Sequence, residues 1–212
     1  MNIYLDGIGK KFNTEWIFRN VSLELHSGET CAVLGRNGSG KSTLLQIIAG
    51  NIHPSAGKIR YESGGREIPD DLIFRQLAMV APYLEIIEDF TLDEMLDFHF
   101  SFKSYLPGIN AEKVREILDL KVRKLKVIRQ YSSGMKQRVK LALAFFSDVP
   151  LLLLDEPVMN LDKAGIEWYL QLVREYTGSR TLIVCSNQQA RESDFAVKTI
   201  NIEDYKSSEI AK

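Results

Sequence analysis

The residues with the plainest chemical meaning are Gly35, Arg36, Asn37, Gly38, Ser39, Gly40, Lys41, Ser42 and Thr43. They lie between the apolar run Cys31–Leu34 and the apolar periodic segment Leu44–Ala49. That order reads as strand, glycine loop, helix. Glycines at 35, 38 and 40 let backbone N–H groups turn inward around an anion, and the new helix brings the positive end of its dipole to the same spot. A polyphosphate suits this arrangement. The spacing GxxxxGK[ST] puts Lys41 within reach of β- and γ-phosphate oxygens and places the Ser42 hydroxyl to ligate Mg²⁺. A glycine-rich turn that happens to precede a helix is the plain alternative; the complete motif in its strand-to-helix setting argues against it.

Two further clusters carry chemistry. In YSSGMKQR, Tyr131 to Arg138, the residues Ser132, Ser133 and Gly134 stand before the apolar helical segment Val139–Phe146. Hydroxyls and N–H groups at a helix start can receive an anion, or act only as an N-cap. The run Leu151-Leu152-Leu153-Leu154 suits an inner parallel strand covered on both faces, and it ends in Asp155-Glu156. Carboxylates at the carboxyl end of such a strand lie where α/β sheets bind ligands. Asp155 can hold Mg²⁺ and Glu156 can orient and polarise an attacking water. A solvated acidic loop is the alternative, but a carboxylate pair directly after four leucines needs a partner.

The elements that must position these groups follow in chain order. Ile3 and Leu5, then Val21, Leu23 and Leu25, alternate with polar neighbours as half-buried strands do, with a turn region GIGKKFNTEW between them. Phe12 and Trp16 in that region are either core residues or a platform for a purine, and spacing does not separate the two. His26–Glu29 reads as a tight turn, and the helix from Lys41 ends at Gly50 as a left-handed cap. Strands are expected at Lys58–Tyr61 and Leu77–Ala81, around the turn-rich ESGGREIPDD. From Leu92 to Leu120 the pattern is helical, broken at Pro107-Gly108 and restarted by Asn110 as an N-cap. The basic stretch Lys121–Arg129 reads as a solvated helix face, with contact to an acidic partner or phosphate as the second reading.

Composition narrows the class. The 212 residues, 45% hydrophobic and 26% charged, support one globular domain with room for a subdomain. A net charge of −1 gives no general attraction to nucleic acid or anionic lipid, and no nucleic-acid partner is expected. No signal-peptide pattern and no apolar run of the ~20 residues needed to span a bilayer is present. Cys31 and Cys185 fall in expected strands and read as reduced core thiols.

Taken together, the phosphate loop, YSSGMKQR, LLLLDEP at Leu151–Pro157 and MNLD at Met159–Asp162 resemble an ATP-binding cassette ATPase along essentially the whole chain. The resemblance implies an α/β fold: a P-loop core with a mostly parallel sheet, an antiparallel N-terminal β-subdomain and an inserted α-helical subdomain. It implies one domain over 1–212, with the core about 1–87 and 148–212 and the helical part about 88–147. It implies ATP and Mg²⁺ as ligands, with Phe12 at the adenine-stacking position. It implies a head-to-tail homodimer or heterodimer that traps each ATP between the phosphate loop of one chain and Ser132, Ser133 and Gly134 of the other. A membrane-spanning permease is the implied partner, holding a cytoplasmic motor subunit to the inner face of the membrane. A soluble assembly or regulatory ATPase is the alternative.

Three positions depart from the family pattern. Pro82 stands where a glutamine is usual, Asn187 where a histidine is usual, and Met159 where a small or hydroxyl residue is usual. Proline has no side-chain oxygen for Mg²⁺ or water, and asparagine can donate to a γ-phosphate but cannot carry a proton. With Lys41, Ser42, Asp155 and Glu156 intact, hydrolysis is expected but slow or partner-dependent. Pro82 is expected either to stiffen the link to the helical subdomain or only to shape a turn.

Overall fold

A computed structural model describes residues 1–120, 123, 125–187 and 194–206. Strands β1 (Asn2–Phe12) and β2 (Glu15–Leu25) pair antiparallel across the turn Asn13-Thr14, with Asn13 in the left-handed region at φ 54. The stretch GIGKKFNTEW, expected as a turn region, is therefore mostly strand. Register shifts between Leu5 and Ile8, Ile8 and Lys10, and Lys10 and Lys11 absorb the break in alternation that made it read as a turn. Strand β3 (Thr30–Leu34) leads into helix α1 (Lys41–Ile48), and Gly50 follows at φ 75, the left-handed cap expected of it. Strands β4 (Ala56–Ser63) and β5 (Arg66–Ile68) complete a four-stranded antiparallel sheet in the order β2-β1-β4-β5.

The second sheet is parallel. It contains β3, β6 (Leu77–Val80), β7 (Leu151–Asp155), β8 (Thr181–Ser186) and β9 (Lys198–Asn201), in the order β6-β7-β8-β3-β9. Between β6 and β7 come α2 (Leu92–Phe100), α3 (Ala111–Leu118) and α4 (Ser133–Phe145), and α5 (Lys163–Tyr176) joins β7 to β8. Period-2 alternation explains the continuous apolar runs. Leu151, Leu153, Ile183 and Cys185 face the core shared with α1 and the antiparallel sheet. Leu152, Leu154, Leu182 and Val184 face the core built from α2 to α5. An inner strand with a core on each side has no polar face, so the alternation disappears from its sequence. Both cysteines are buried and unpaired, and burial pushes the Cys31 thiol up to about 12.

The helix starts follow their caps. Thr91 and Glu94 form a capping box on α2, and Asn110, Ser132 and Asp162 each accept from the N3 backbone N–H of their helix. Helix α1 has no side-chain cap; Gly40 precedes it at φ 108. The basic stretch does not form the expected helix among its described residues: Arg123, Leu125 and Lys126 lie outside helix, Ile128–Gln130 is a single 3₁₀ turn, and Arg129 pairs with Asp89. Lys121 and Lys124 lie outside the described residues.

One packing contact has a pH consequence. On α2, His99 Nε2 sits 2.9 Å from Ser147 Oγ, which donates to Leu143 O at 2.7 Å. Burial first, and then the charge of Lys103, push the imidazole down from 6.5 to about 4. The folded state therefore holds neutral His99 while the unfolded chain takes up a proton near its ordinary value. The contribution is full above pH 6.5 and is lost as pH falls toward 4, amounting to roughly 2–3 kcal/mol. Thermal unfolding measured from pH 7 to 4 should show this slope, and His99→Gln should flatten it. Parallel slopes in the two proteins would remove His99 as its source.

Candidate active site

The expected phosphate-binding residues come together at the carboxyl edge of the parallel sheet. Register sets the arrangement: Leu34 of β3 lies opposite Ser186 of β8, and Cys185 of β8 lies opposite Asp155 of β7. The loop Gly35–Gly40, the pair Asp155-Glu156 and Asn187 thus leave neighbouring strands at one edge, where open α/β sheets place ligands. Lys41 is buried, and its Nζ donates to Gly35 O at 2.8 Å and Arg36 O at 3.1 Å, so its charge sits inside the loop. Strand β2 closes against the loop: a Cβ on Gly40 would lie 2.7 Å from Ile17 Cγ2 and 3.0 Å from Phe18 Cδ1. With no side-chain cap on α1, its first N–H groups are left for an anion in the loop. Arg36 is tied from outside, its backbone N–H and Nε both donating to Glu203 Oε1 at 3.0 Å.

Asp155 is 2% exposed, and both carboxylate oxygens are buried without a hydrogen-bond partner. Burial raises its pKa; the neighbouring Ser42 hydroxyl opposes that, Glu156 adds to it, and Lys41 opposes it again. A buried carboxylate with open lone pairs beside a hydroxyl is a hard-oxygen pair that fits a divalent cation. Among the described residues no group of three or more His, Cys, Asp or Glu gathers to hold a metal. A cation here would therefore rest on Ser42, Asp155 and phosphate oxygens. Glu156 is half-buried at φ 47, in the left-handed region, with its N–H donating to Cys185 O at 3.0 Å. A non-glycine residue held there is strained, and such strain clusters at functional positions.

Ser132, Ser133 and Gly134 are brought to a different place. Ser132 caps α4, accepting from Met135 N–H at 3.2 Å. The start of α4 packs on the segment after β7: Gln137 Nε2 donates to Pro157 O at 2.8 Å, and a Cβ on Gly134 would lie 2.8 Å from Asn160 O. Among the described residues no hydrogen bond or ion pair joins 132–134 to 35–43. Phe12, 50% exposed at the end of the β1–β2 hairpin, carries Lys10 5.1 Å from its ring centroid. Trp16 is otherwise engaged, with Lys11 at 5.6 Å and Arg19 at 4.5 Å from its centroid and its ring lying against Gly9. Both rings carry a nearby cation; Phe12 is the more exposed of the two, Trp16 being half-buried. Met159 is exposed, and Asn187 is half-buried just beyond Ser186.

Pro82 takes the second place of a turn closed by Leu84 N–H donating to Ala81 O at 3.2 Å. Tyr83 follows at the third place of that turn and is exposed; nothing in the local sequence pattern points to it.

An apolar groove of about 350 Å³ lies between β6, α2 and α4, lined by Phe74, Leu84, Ile87, Met95 and Phe98 among others. Phe74, Leu84, Ile87 and Phe98 are exposed along it, and Phe102 is exposed beside Phe98 at a centroid distance of 5.3 Å. Among the described residues no helix is long and apolar enough to cross a membrane.

The chain is similar in sequence and in fold to known proteins. An ATP-binding protein of Bacillus subtilis called YcbN, itself uncharacterised, is 29% identical over 87% of this chain and 61% of its own length. A daunorubicin resistance ATP-binding protein of Streptomyces coeruleorubidus, DrrA3, is 27% identical over 95% of this chain and 65% of its own length. The chain thus spans under two thirds of the length of these relatives. A solved dimeric ATP-binding cassette, MJ0796, in a post-hydrolysis state with ADP and phosphate, superposes with a TM-score of 0.78 at 23% identity, over 95% of each chain. The family model for ABC transporters matches residues 18–159, and the chain belongs to that family.

Proposed function

We propose that the protein is an ATP-hydrolysing motor subunit that drives a separate membrane permease. The observation that carries the hydrolytic part is the sheet edge where the Lys41 loop, the unpartnered Asp155 carboxylate and the strained Glu156 meet. In this reading Gly35, Arg36, Asn37, Gly38, Ser39, Gly40 and Thr43 wrap the phosphates with backbone N–H groups, and Lys41 leaves the loop carbonyls for β- and γ-phosphate oxygens. Ser42 and Asp155 hold Mg²⁺, which when bound would neutralise phosphate charge and polarise the γ-phosphoryl group. Glu156 accepts the proton of the attacking water. Asn187 donates to the γ-phosphate but cannot carry a proton, and Pro82 offers no hydrogen-bonding side chain, so turnover is slow or partner-dependent; losing one transition-state donor commonly costs about 100- to 1,000-fold. Phe12 stacks on adenine. The domain is single, with 88–147 as a helical subdomain inserted in the core.

Ser132, Ser133 and Gly134, away from the phosphate loop of their own chain, receive the ATP of a second cassette in a homodimer or heterodimer. The solved dimeric cassette of like fold supports such pairing. ATP favours the closed pair, and only that difference in affinity between states can do work on a partner. The aromatic groove is the surface offered to a permease, and it fits the apolar face of a short helix. This holds the protein on the cytoplasmic side of the membrane.

The test is tagged protein captured from detergent-solubilised membranes of its own cell. A protein with several membrane spans should be recovered in stoichiometric amount, and Phe98→Glu in the groove should lose it while the purified subunit still binds ATP. Recovery of soluble proteins alone, or equal recovery with Phe98→Glu, would overturn the permease reading in favour of a soluble assembly or regulatory ATPase.

A further inference from the structure

Strand β9 runs parallel to β3 with Asn201 opposite Leu34. The residues that leave the two strands side by side are therefore Ile202-Glu203 and Gly35-Arg36, the first two positions of the phosphate loop. Ile202 is fully buried against the loop: a Cβ on Gly35 would lie 2.8 Å from its Cγ2. Glu203 holds the next residue twice, its Oε1 accepting from the Arg36 backbone N–H and from Nε at 3.0 Å each. The carboxylate is presented on a braced turn. Glu203 N–H donates to Asn201 Oδ1 at 3.2 Å, and its carbonyl accepts from Lys206 N–H at 3.3 Å across the 3₁₀ turn Ile202–Tyr205. The Arg36 guanidinium first, and then the Arg36 N–H, hold the Glu203 carboxyl below its ordinary range, so it is ionised at neutral pH.

The start of the loop is thus held from two sides. Lys41 Nζ takes the carbonyls of Gly35 and Arg36 from within, and Glu203 takes the Arg36 N–H from without. The inner hold is lost when Lys41 turns to phosphate oxygens; the outer one is not. Of the two bonds to Glu203, the guanidinium contact is a surface ion pair, with the Arg36 side chain 81% exposed, and such pairs contribute little. The backbone bond is charge-assisted and fixes the orientation of a peptide plane. We infer that Glu203 is a positioning residue of the nucleotide site: it keeps the Arg36 N–H turned outward and so preserves the binding shape of the phosphate loop once Lys41 leaves the loop carbonyls for phosphate. The inference rests on the proposed binding of ATP and refines it, since the Arg36 N–H is committed to Glu203 and the remaining loop N–H groups are those left for phosphate. Glu203 lies outside every motif that marks the site in the sequence.

The experiment compares the full chain as wild type, Glu203→Ala, Glu203→Gln and Arg36→Ala, with Mg·ATP affinity measured by calorimetry and turnover by phosphate release. Glu203→Ala should weaken ATP binding about threefold to tenfold, the scale of one hydrogen bond. Its kcat should stay within twofold, because the loop is held alike in the ground and transition states. Glu203→Gln keeps an acceptor oxygen of the same reach and should recover part of the affinity, which a role of the carboxylate in the ion pair alone would not allow. Arg36→Ala removes the ion pair and keeps the backbone N–H, so its loss should be clearly smaller than that of Glu203→Ala. Hydrogen exchange of the loop amides 35–40 without nucleotide should quicken in Glu203→Ala and less so in Arg36→Ala. Wild-type ATP affinity in Glu203→Ala, or equal losses in Glu203→Ala and Arg36→Ala, would overturn the inference. A wild type that binds ATP without hydrolysing it would count against the proposed turnover alone, since the affinities still decide the role of Glu203.

Discussion

Glu156→Gln is expected to keep ATP binding intact and to lower turnover about 100- to 10,000-fold, the range spanned by a general base. Glutamine matches glutamate in shape, so the left-handed backbone at φ 47 and the N–H donated to Cys185 O should survive. What disappears is the ability to take a proton from water. Asp155 cannot substitute: it is fully buried, its oxygens face Ser42, and burial already disfavours its charged form. Phosphate release and binding of a fluorescent ATP analogue measure the two halves separately. The variant should also accumulate as an ATP-bound dimer on gel filtration, because the closed pair no longer has a route to open by hydrolysis. Turnover at the wild-type rate would take Glu156 out of this role, whatever its backbone conformation.

The site was legible where chemistry and local backbone demand coincide. Gly40 must take φ 108 under Ile17 and Phe18 at the mouth of α1, and no residue with a Cβ fits there, so the glycine pattern of the loop is visible in the sequence. The same holds for Asp155: four leucines fix a strand covered on both faces, and whatever follows it stands at the sheet edge. The β1–β2 hairpin reads short in the sequence because its bulges break the period of two on which strand recognition depends. The basic stretch Lys121–Arg129 reads as a helix face because it is a run of charges, and its described residues instead follow backbone bonds to the α2 approach, with Ile128 N–H donating to Phe90 O and Arg129 N–H to Glu88 O. Glu203 was hidden for a different reason. Its position follows from the pairing of β3 with β9, two strands about 170 residues apart, which is long-range information that a local pattern does not carry.

Gly134→Ala opposes two effects of known size. Alanine is the better helix former by about 1 kcal/mol, and position 134 lies in the first turn of α4, so propensity alone favours the change. Against it, the new methyl would lie 2.8 Å from Asn160 O, a backbone atom in a residue itself held at φ 65. Overpacking against backbone that cannot rotate away typically costs about 1–3 kcal/mol, so the clash prevails and the segment 157–161 or the start of α4 must shift. That segment continues directly from Glu156 and is tied to α4 by Gln137 at Pro157 O. The expected result is a lower melting temperature and turnover reduced at least tenfold, with ATP affinity of the isolated subunit unchanged because its phosphate loop lies elsewhere. Gln137→Ala should move turnover in the same direction and by less, since it frees the segment without pushing it. A Gly134→Ala protein that melted higher and turned over normally would mean that helix propensity outweighs the carbonyl contact, and that α4 and the Glu156 segment are not mechanically joined at this point.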